Sequence, residues 1–204
     1  MSDLFLEIFA QRIPMIHAWW MKAAGELTEK ELAQSFGPFS PPMGWHVWHI
    51  ARWADRLQAS LFPRRGSSVH PAEPHRSLWE RENLAAQWHL DPKTLGTFEE
   101  GSGMSFEDAA ALPGKIGRKI LLDYAERVFA LANGAVARLR PEDLLWIRRG
   151  IMDYEVRDGK IFPLPEKETP VAADLIFHIS HASRHLGMLE ALRGLLQRRG
   201  TVSV

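Results

Sequence analysis

The sequence contains no cysteine among its 204 residues. Without thiols the chain cannot form a disulfide framework, a thiolate metal site or a cysteine nucleophile. A protein of this length buries roughly 70% of the surface that its unfolded chain exposes, so its core needs no structural metal. A metal site in this chain would therefore need a functional explanation.

Excess charge and long apolar runs are also missing. Lysine plus arginine and aspartate plus glutamate both number 25, so no net charge attracts nucleic acid or an anionic membrane. No 18 apolar residues run together, and acidic residues stand where a signal peptide has basic ones. We therefore expect a cytoplasmic protein that binds neither nucleic acid nor membrane.

The composition is otherwise that of an ordinary globular protein. Hydrophobic residues make up 46% of the chain and charged residues 25%, which excludes general disorder. No internal repeat of 20 to 50 residues and no low-complexity stretch is visible. The length is typical of one domain, so we expect a single domain over residues 1–204.

Four long segments carry apolar residues at three- and four-residue steps, which predicts helices. The predicted helices cover residues 4–27, 40–63, 115–138 and 169–200. Pro14 should kink the first helix or start a new segment, because proline removes a backbone hydrogen bond. Ser40-Pro41 and Thr169-Pro170 each combine a hydroxyl cap with a proline, a pattern typical of helix starts. A capping box at Thr28 to Glu31 predicts a short additional helix.

The remaining chain predicts one long connection and one hairpin. Residues 63–112 are rich in proline, glycine and serine around a weakly helical part at 78–88, and the stretch from Gly96 to Gly103 is interpreted as a loop. Asp158-Gly159 is a turn signal between β-branched and aromatic residues, which predicts a hairpin over 151–164. The predicted fold is all-α, a four-helix bundle with a long crossover connection (residues 63–112) and a small β-hairpin excursion.

Histidines are the residues that indicate chemistry. His181 and His185 are four apart on a predicted helix, where two imidazoles share one face and can chelate one ion. His46 and His49 form a second cluster on another helix, and His178 is as well placed as His181. A hydrogen-bonded role in the core is the alternative for each of them. We expect surface or loop positions for His17, His70, His75 and His89.

Other candidate residues have plainer interpretations. We expect the tryptophans in the core and in a pocket wall, among them Trp19, Trp20, Trp45, Trp48 and Trp53. Arg52, Asp55 and Arg184 lie near the histidines in the sequence and either face a pocket or form salt bridges on their helices. No general acid or base can be named, so the catalytic residues stay unassigned.

Two segments resemble the DinB/YfiT-like superfamily. Residues 40–49 read Ser-Pro-Pro-Met-Gly-Trp-His-Val-Trp-His and resemble the start of the second bundle helix in that superfamily. Residues 181–194 read His-Ala-Ser-Arg-His-Leu-Gly-Met-Leu-Glu-Ala-Leu-Arg-Gly and are similar to its last helix. The resemblance implies a DinB-like four-helix bundle that holds a divalent metal ion.

The same resemblance implies the metal ligands. One histidine from the second long helix and two from the last helix hold the ion, which corresponds to His49, His181 and His185 here. His46 is disfavoured because the second polar position of the related Trp-x-x-x-His helices is the ligand. His178 lies one turn too early in the last-helix motif.

Ligand chemistry and the resemblance together suggest a function. Three neutral imidazoles suit several transition metals, and we expect zinc or nickel, with iron as a further candidate. The resemblance implies a thiol-dependent S-transferase or isomerase that acts on a small molecule and forms a homodimer. The alternatives are a metal-assisted hydrolase and a non-catalytic, stress-related protein that binds a metal or another ligand.

Overall fold

A computed structural model describes residues 2–61, 76–149, 154–158, 160–163 and 168–201. Its helices are α1 (Ser2–Gly25), α2 (Glu29–Ala33), α3 (Met43–Ser60), α4 (Leu78–Arg81), α5 (Leu84–Gln87), α6 (Phe106–Ile116), α7 (Arg118–Ala137) and α8 (Val171–Leu195). The four longest helices form a bundle in which α1 and α3 each pack against both α7 and α8. The predicted all-α, four-helix architecture is confirmed. None of the described helices is long and apolar enough to span a membrane.

The first two helices agree closely with prediction. Pro14 lies inside α1 and does not start a new segment, because a helix of 24 residues tolerates the loss of one hydrogen bond. The capping box before α2 is confirmed. The Thr28 N–H donates to Glu31 Oε2 (2.7 Å), and the Glu31 N–H donates to Thr28 Oγ1 (3.3 Å).

Helix α3 begins later than Ser40-Pro41 predicts. Pro41 is itself followed by Pro42, and a residue that precedes proline is disfavoured in the helical conformation. Pro42 is therefore the extended N-cap residue of α3, and its carbonyl accepts the Trp45 N–H (3.0 Å). The helix ends at Ser60, before the predicted end at residue 63.

The crossover connection contains more helix than predicted. Its described part holds α4, α5 and a 3₁₀ turn at Pro92–Thr94, while residues 63–75 lie outside the described residues. Helix α6 begins at Phe106, in a part of the chain that was predicted to be irregular. The helix starts there because Ser105 Oγ accepts the Asp108 N–H (3.0 Å) and caps it. Gly117 (φ +79°) separates α6 from α7.

The strands form two separate antiparallel pairs. Strand β2 (Tyr154–Arg157) pairs with β3 (Lys160–Pro163), which confirms the predicted hairpin within the described residues; 151–153, 159 and 164 lie outside them. Strand β1 (Ile147–Arg149) pairs with β4 (Glu168–Pro170), and this pair was not predicted. Thr169-Pro170 belongs to β4, so α8 begins at Val171, and it ends at Leu195 rather than at residue 200.

The bundle interior is rich in large aromatic side chains. Trp20, Trp48 and Trp53 are at most 1% exposed, and Trp45 is also buried, as predicted for the core. Trp19 is half-buried at the edge of the same cluster. Burial of such side chains contributes about 1.5 to 3 kcal/mol each, so the bundle has its own stabilising core around the histidines.

Candidate metal centre

The packing of α3 against α8 brings three histidines together. His49 lies on α3, and His181 and His185 lie one turn apart on α8. One ring nitrogen of each lies within 4.8 Å of those offered by the other two, and all three side chains are buried. His49, His181 and His185, the predicted ligands, are called the three-His group below.

The spacing of the ring nitrogens fits a small ion. The Nε2 atoms of His49 and His181 are 3.2 Å apart. Two nitrogens bound tetrahedrally to one zinc ion at ~2.0 to 2.1 Å would be about 3.3 Å apart. The three-His group can therefore hold a divalent ion without a large rearrangement of these two rings. Its all-nitrogen donor set suits zinc, nickel and iron.

The electrostatics keep the three imidazoles neutral. Burial lowers the pKa of His49 well below 6.5 and, with the charge of His185, lowers the pKa of His181 to about 3. Burial and the charges of the neighbouring histidines lower the pKa of His185 to about 2. The Arg184 guanidinium lowers the pKa of all three residues further. At neutral pH each ring therefore keeps the lone pair that a metal ion needs.

A backbone carbonyl fixes the orientation of His49. The Nδ1 atom of His49 donates a hydrogen bond to the carbonyl oxygen of Glu100 in the crossover connection. A carbonyl oxygen only accepts hydrogen bonds, so Nδ1 carries the proton and Nε2 presents its lone pair to His181. Histidines that bind a metal ion through one ring nitrogen usually donate such a hydrogen bond from the other ring nitrogen.

The Glu100 turn is held against α3 by its own side chain and by a glycine. The Glu100 carboxylate forms an ion pair with Arg56 and accepts from Ser102 Oγ (3.0 Å), while its burial raises its pKa. Gly101 has a φ of +96°, and a Cβ there would lie 2.9 Å from the Trp45 ring and 3.1 Å from His49 Nδ1. A side chain at residue 101 would therefore push the turn away from the three-His group.

Arg52 and Asp55 form a buried ion pair (3.2 Å) that ties the crossover connection to α3. Arg52 Nε donates to the carbonyl oxygen of Glu99 (2.7 Å), directly before the turn at Glu100. Asp55 accepts the backbone N–H groups of Leu78 (2.7 Å) and Trp79 (2.9 Å) at the start of α4. Arg52 and Asp55 were expected either to face a pocket or to form salt bridges, and in the structure they form a salt bridge with each other.

Aromatic rings surround two of the three histidines. Trp45 stacks on the His49 ring with centroids 4.6 Å apart and an interplanar angle of 11°. Trp53 meets the His181 ring edge-on at 4.7 Å and also contacts Phe177. These rings keep water from the flanks of the imidazoles and lower the local dielectric constant.

His46 lies beside the three-His group. It is 4% exposed, and its Nδ1 atom is 2.9 Å from Nδ1 of His185. Arg184, between His181 and His185 on α8, is exposed.

His178 belongs to a second buried cluster. Its Nε2 atom is 2.9 Å from Nε2 of His17, and Nδ1 of His17 is 2.7 Å from the side-chain oxygen of Asn133. The surface position predicted for His17 is wrong, because this residue is 1% exposed and stacks on Phe129. We call His17, Asn133 and His178 the Asn133 cluster. His89 is exposed as predicted, and residues 70 and 75 lie outside the described residues.

Sequence reasoning missed the Glu100 carbonyl and Gly101. The glycines at 96, 101 and 103 indicated a loop, but a backbone carbonyl leaves no signature in the sequence. The burial of His17 was not predicted, because the position of a histidine in the apolar pattern of a helix does not show whether it faces the core or the edge of the core.

Comparisons with known proteins agree with this architecture. The family model of the DinB superfamily matches residues 18–189. The crystal structure of a conserved protein from Enterococcus faecalis matches with a TM-score of 0.64 at 19% identity, over 93% of this chain and 95% of that one. At that identity the likeness shows the fold alone. No protein with a curated functional description matches in sequence. Because the family model covers most of the chain, including all three histidines of the group, the chain belongs to the DinB superfamily.

Proposed function

We propose that this protein is a metal-dependent enzyme that uses a low-molecular-weight thiol to act on a small electrophilic molecule, as an S-transferase or an isomerase. His49, His181 and His185 hold the divalent ion, which we expect to be zinc or nickel. The observation that carries the proposal is that three buried imidazoles each bring a ring nitrogen within 4.8 Å of those of the other two. The bundle has a core of its own, so this site is not needed for folding.

The number of donors favours an active site over a structural one. Within the described residues the group offers three histidine ligands, whereas structural zinc sites have four protein ligands. An ion held by three ligands keeps a position for a molecule from solution. When bound, the ion supplies a positive charge that favours the deprotonated form of a thiol or of water at neutral pH.

The residues around the group have supporting roles in this proposal. The Glu100 carbonyl and the Trp45 ring orient His49, and Trp53 excludes water from the side of His181. The chain has no cysteine, so the reacting sulfur must come from a second substrate. In the S-transferase, the new bond joins that sulfur to an electrophilic carbon, the leaving group takes the electron pair of the broken bond, and the thiol proton goes to solvent. In the isomerase, the thiol adds to the substrate and is expelled again, so no group is transferred.

Metal analysis of protein purified without an affinity tag tests the site. We expect one equivalent of a divalent ion in the wild-type protein and none in His181→Ala, which should still unfold in one cooperative transition. The matched control is His178→Ala, which removes a buried histidine one turn away and should keep its ion. A His181→Ala protein without a cooperative transition would indicate a structural site, and one with a full equivalent of metal would refute the ligand assignment.

Titration of the Co²⁺-substituted protein with cysteine and with glutathione tests the thiol chemistry. We expect a sulfur-to-metal charge-transfer band to appear, and serine and ophthalmic acid, in which the thiol is replaced, should not produce it. A spectrum that no thiol alters would refute the S-transferase proposal. Hydrolysis of ester substrates by such a protein would then support the hydrolase, and inertness toward both would support simple metal binding.

A further inference from the structure

His46 is a buried histidine that the proposed function does not use. It lies on α3 three residues before His49, which places both side chains on the same face of the helix. Its Nδ1 atom is 2.9 Å from Nδ1 of His185, a distance typical of a hydrogen bond. Trp45 contacts the His46 ring edge-on at 5.1 Å and confines it.

The contact between two Nδ1 atoms constrains both protons. One nitrogen must donate and the other must accept, because two protons or two lone pairs would repel each other. If His185 binds an ion through Nε2, that atom carries no proton, so the proton of the neutral ring is on Nδ1. Nδ1 of His185 then donates to Nδ1 of His46, and His46 carries its own proton on Nε2.

We infer that His46 is a positioning residue of the metal centre: it accepts the hydrogen bond from Nδ1 of His185 and so directs the Nε2 lone pair of His185 toward the ion. The inference rests on the proposed function, since it requires His185 to be a ligand. His46 would do for His185 what the Glu100 carbonyl does for His49.

The third imidazole of the group lacks such a partner. Nδ1 of His181 is buried, and no hydrogen-bond partner for it occurs within the described part of the chain. Two of the three histidines, His49 and His185, therefore have a hydrogen-bond partner outside the group, and His46 is the partner of His185. Hydrogen bonds to the outer nitrogen of a ligand histidine typically change metal affinity by about 10- to 100-fold.

Two substitutions separate the hydrogen bond from the bulk of the ring. In His46→Asn, the side-chain oxygen is attached to Cγ as Nδ1 is in histidine, so it can still accept from His185. In His46→Leu, the volume is similar but the acceptor is lost. We expect zinc affinity, measured by competition with a chelator, to fall about 10- to 100-fold in His46→Leu and by at most about threefold in His46→Asn.

The Co²⁺ spectrum and X-ray absorption distinguish positioning from direct ligation. A positioning role predicts the same number of imidazole ligands in all three proteins, with d–d bands that shift in His46→Leu and recover in His46→Asn. If both variants lost one imidazole ligand, His46 would be a ligand and the inference would be wrong. Wild-type affinity in His46→Leu would also refute it.

A measurement on the wild-type protein does not depend on how the variants fold. Nitrogen NMR of the histidine rings in the zinc-loaded protein should show protonated Nδ1 on His185 and protonated Nε2 on His46. A proton on Nδ1 of His46 would overturn the inference. Failure of the proposed function looks different, because His181→Ala would then keep its ion and the zinc-loaded spectrum would not depend on the three-His group.

Discussion

Two buried histidine clusters lie one turn apart on α8, and they differ in how many ring nitrogens come together. In the Asn133 cluster, both nitrogens of His17 are engaged, one by Asn133 and one by His178. The His49–His181 pair has the same pattern, with Nε2 facing Nε2 at 3.2 Å and Nδ1 of His49 bonded to an oxygen, but a nitrogen of a third ring, His185, lies within 4.8 Å of both. The histidines of both clusters are buried, so the number of ring nitrogens that come together is what distinguishes a group able to hold a metal ion from a pair of core histidines.

Low pH should destabilise both clusters in the metal-free protein, and this is the largest effect that we expect. Burial lowers the pKa of His17 and of His46 to about 4, and it lowers the pKa of His49 and His178 well below 6.5. The unfolded chain takes up protons near pH 6.5, before the folded chain does. Stability is therefore complete above about pH 6.5 and is lost as the pH falls toward 4, by up to about 1.4 kcal/mol per pH unit for each such histidine.

Denaturant unfolding of the metal-free protein between pH 7 and pH 5 measures this slope. His17→Gln and His49→Gln should each reduce proton uptake on unfolding by about one, since each removes one such histidine. Excess zinc should stabilise wild-type and His17→Gln proteins at pH 7 but not His49→Gln. A pH-independent free energy of unfolding would contradict the neutral state of these histidines.

Removal of His178 should affect stability alone. His178→Ala leaves a cavity and deprives His17 Nε2 of its partner, so we expect the free energy of unfolding to fall by about 2 to 4 kcal/mol. Zinc affinity should stay within about twofold of wild type, because the three-His group is intact. His89→Ala, an exposed histidine, is the control and should change stability by at most about 0.5 kcal/mol. Loss of zinc binding in His178→Ala would mean that metal binding by the three-His group depends on the Asn133 cluster.

A substitution at Gly101, which is not one of the three histidines, also tests the candidate metal centre. Gly101→Ala places a Cβ against Trp45 and His49 at a φ of +96°, so we expect a loss of about 1 to 3 kcal/mol in stability. Displacement of the Glu100 carbonyl should also weaken zinc binding about tenfold. The control is Gly187→Ala on α8, where a Cβ meets nothing within 4 Å. It should raise stability by about 0.5 to 1 kcal/mol and leave zinc affinity unchanged.

Arg184 should give the smallest effect. Its charge lowers the pKa of all three histidines of the group, and the same charge opposes a divalent cation. We expect Arg184→Gln to bind zinc about two- to fivefold more tightly at low ionic strength, with the difference shrinking in 0.5 M salt. Lys115→Gln, at an exposed cation on α6, is the control. Weaker zinc binding in Arg184→Gln would show that the guanidinium supports the site.

The sequence predicted the bundle because its signals are periodic and local. Capping residues and apolar spacing placed the four long helices, and two adjacent prolines explain why α3 begins at Met43 rather than at Ser40. The pairing of β1 with β4 was not predictable, since these strands lie on either side of the hairpin and are three residues long.

The candidate site was predictable only in part. Four-residue spacing indicated His181 and His185, whereas the choice of His49 over His46 required the family resemblance. The hydrogen bonds that orient these rings come from residues far away in the sequence, such as the carbonyl of Glu100. Such contacts depend on how the helices pack, and no local pattern encodes that packing.

The separation of the three histidines along the chain has a consequence for folding. His49 and His181 are 132 residues apart, and His49 is 51 residues from Glu100. The complete group therefore forms only after α3, the crossover connection and α8 have docked, and contacts of such long range form slowly. A bound ion should then slow unfolding without accelerating folding. During biosynthesis, an ion that needs all three histidines can bind only after the ribosome has released α8, so it would bind to the assembled bundle.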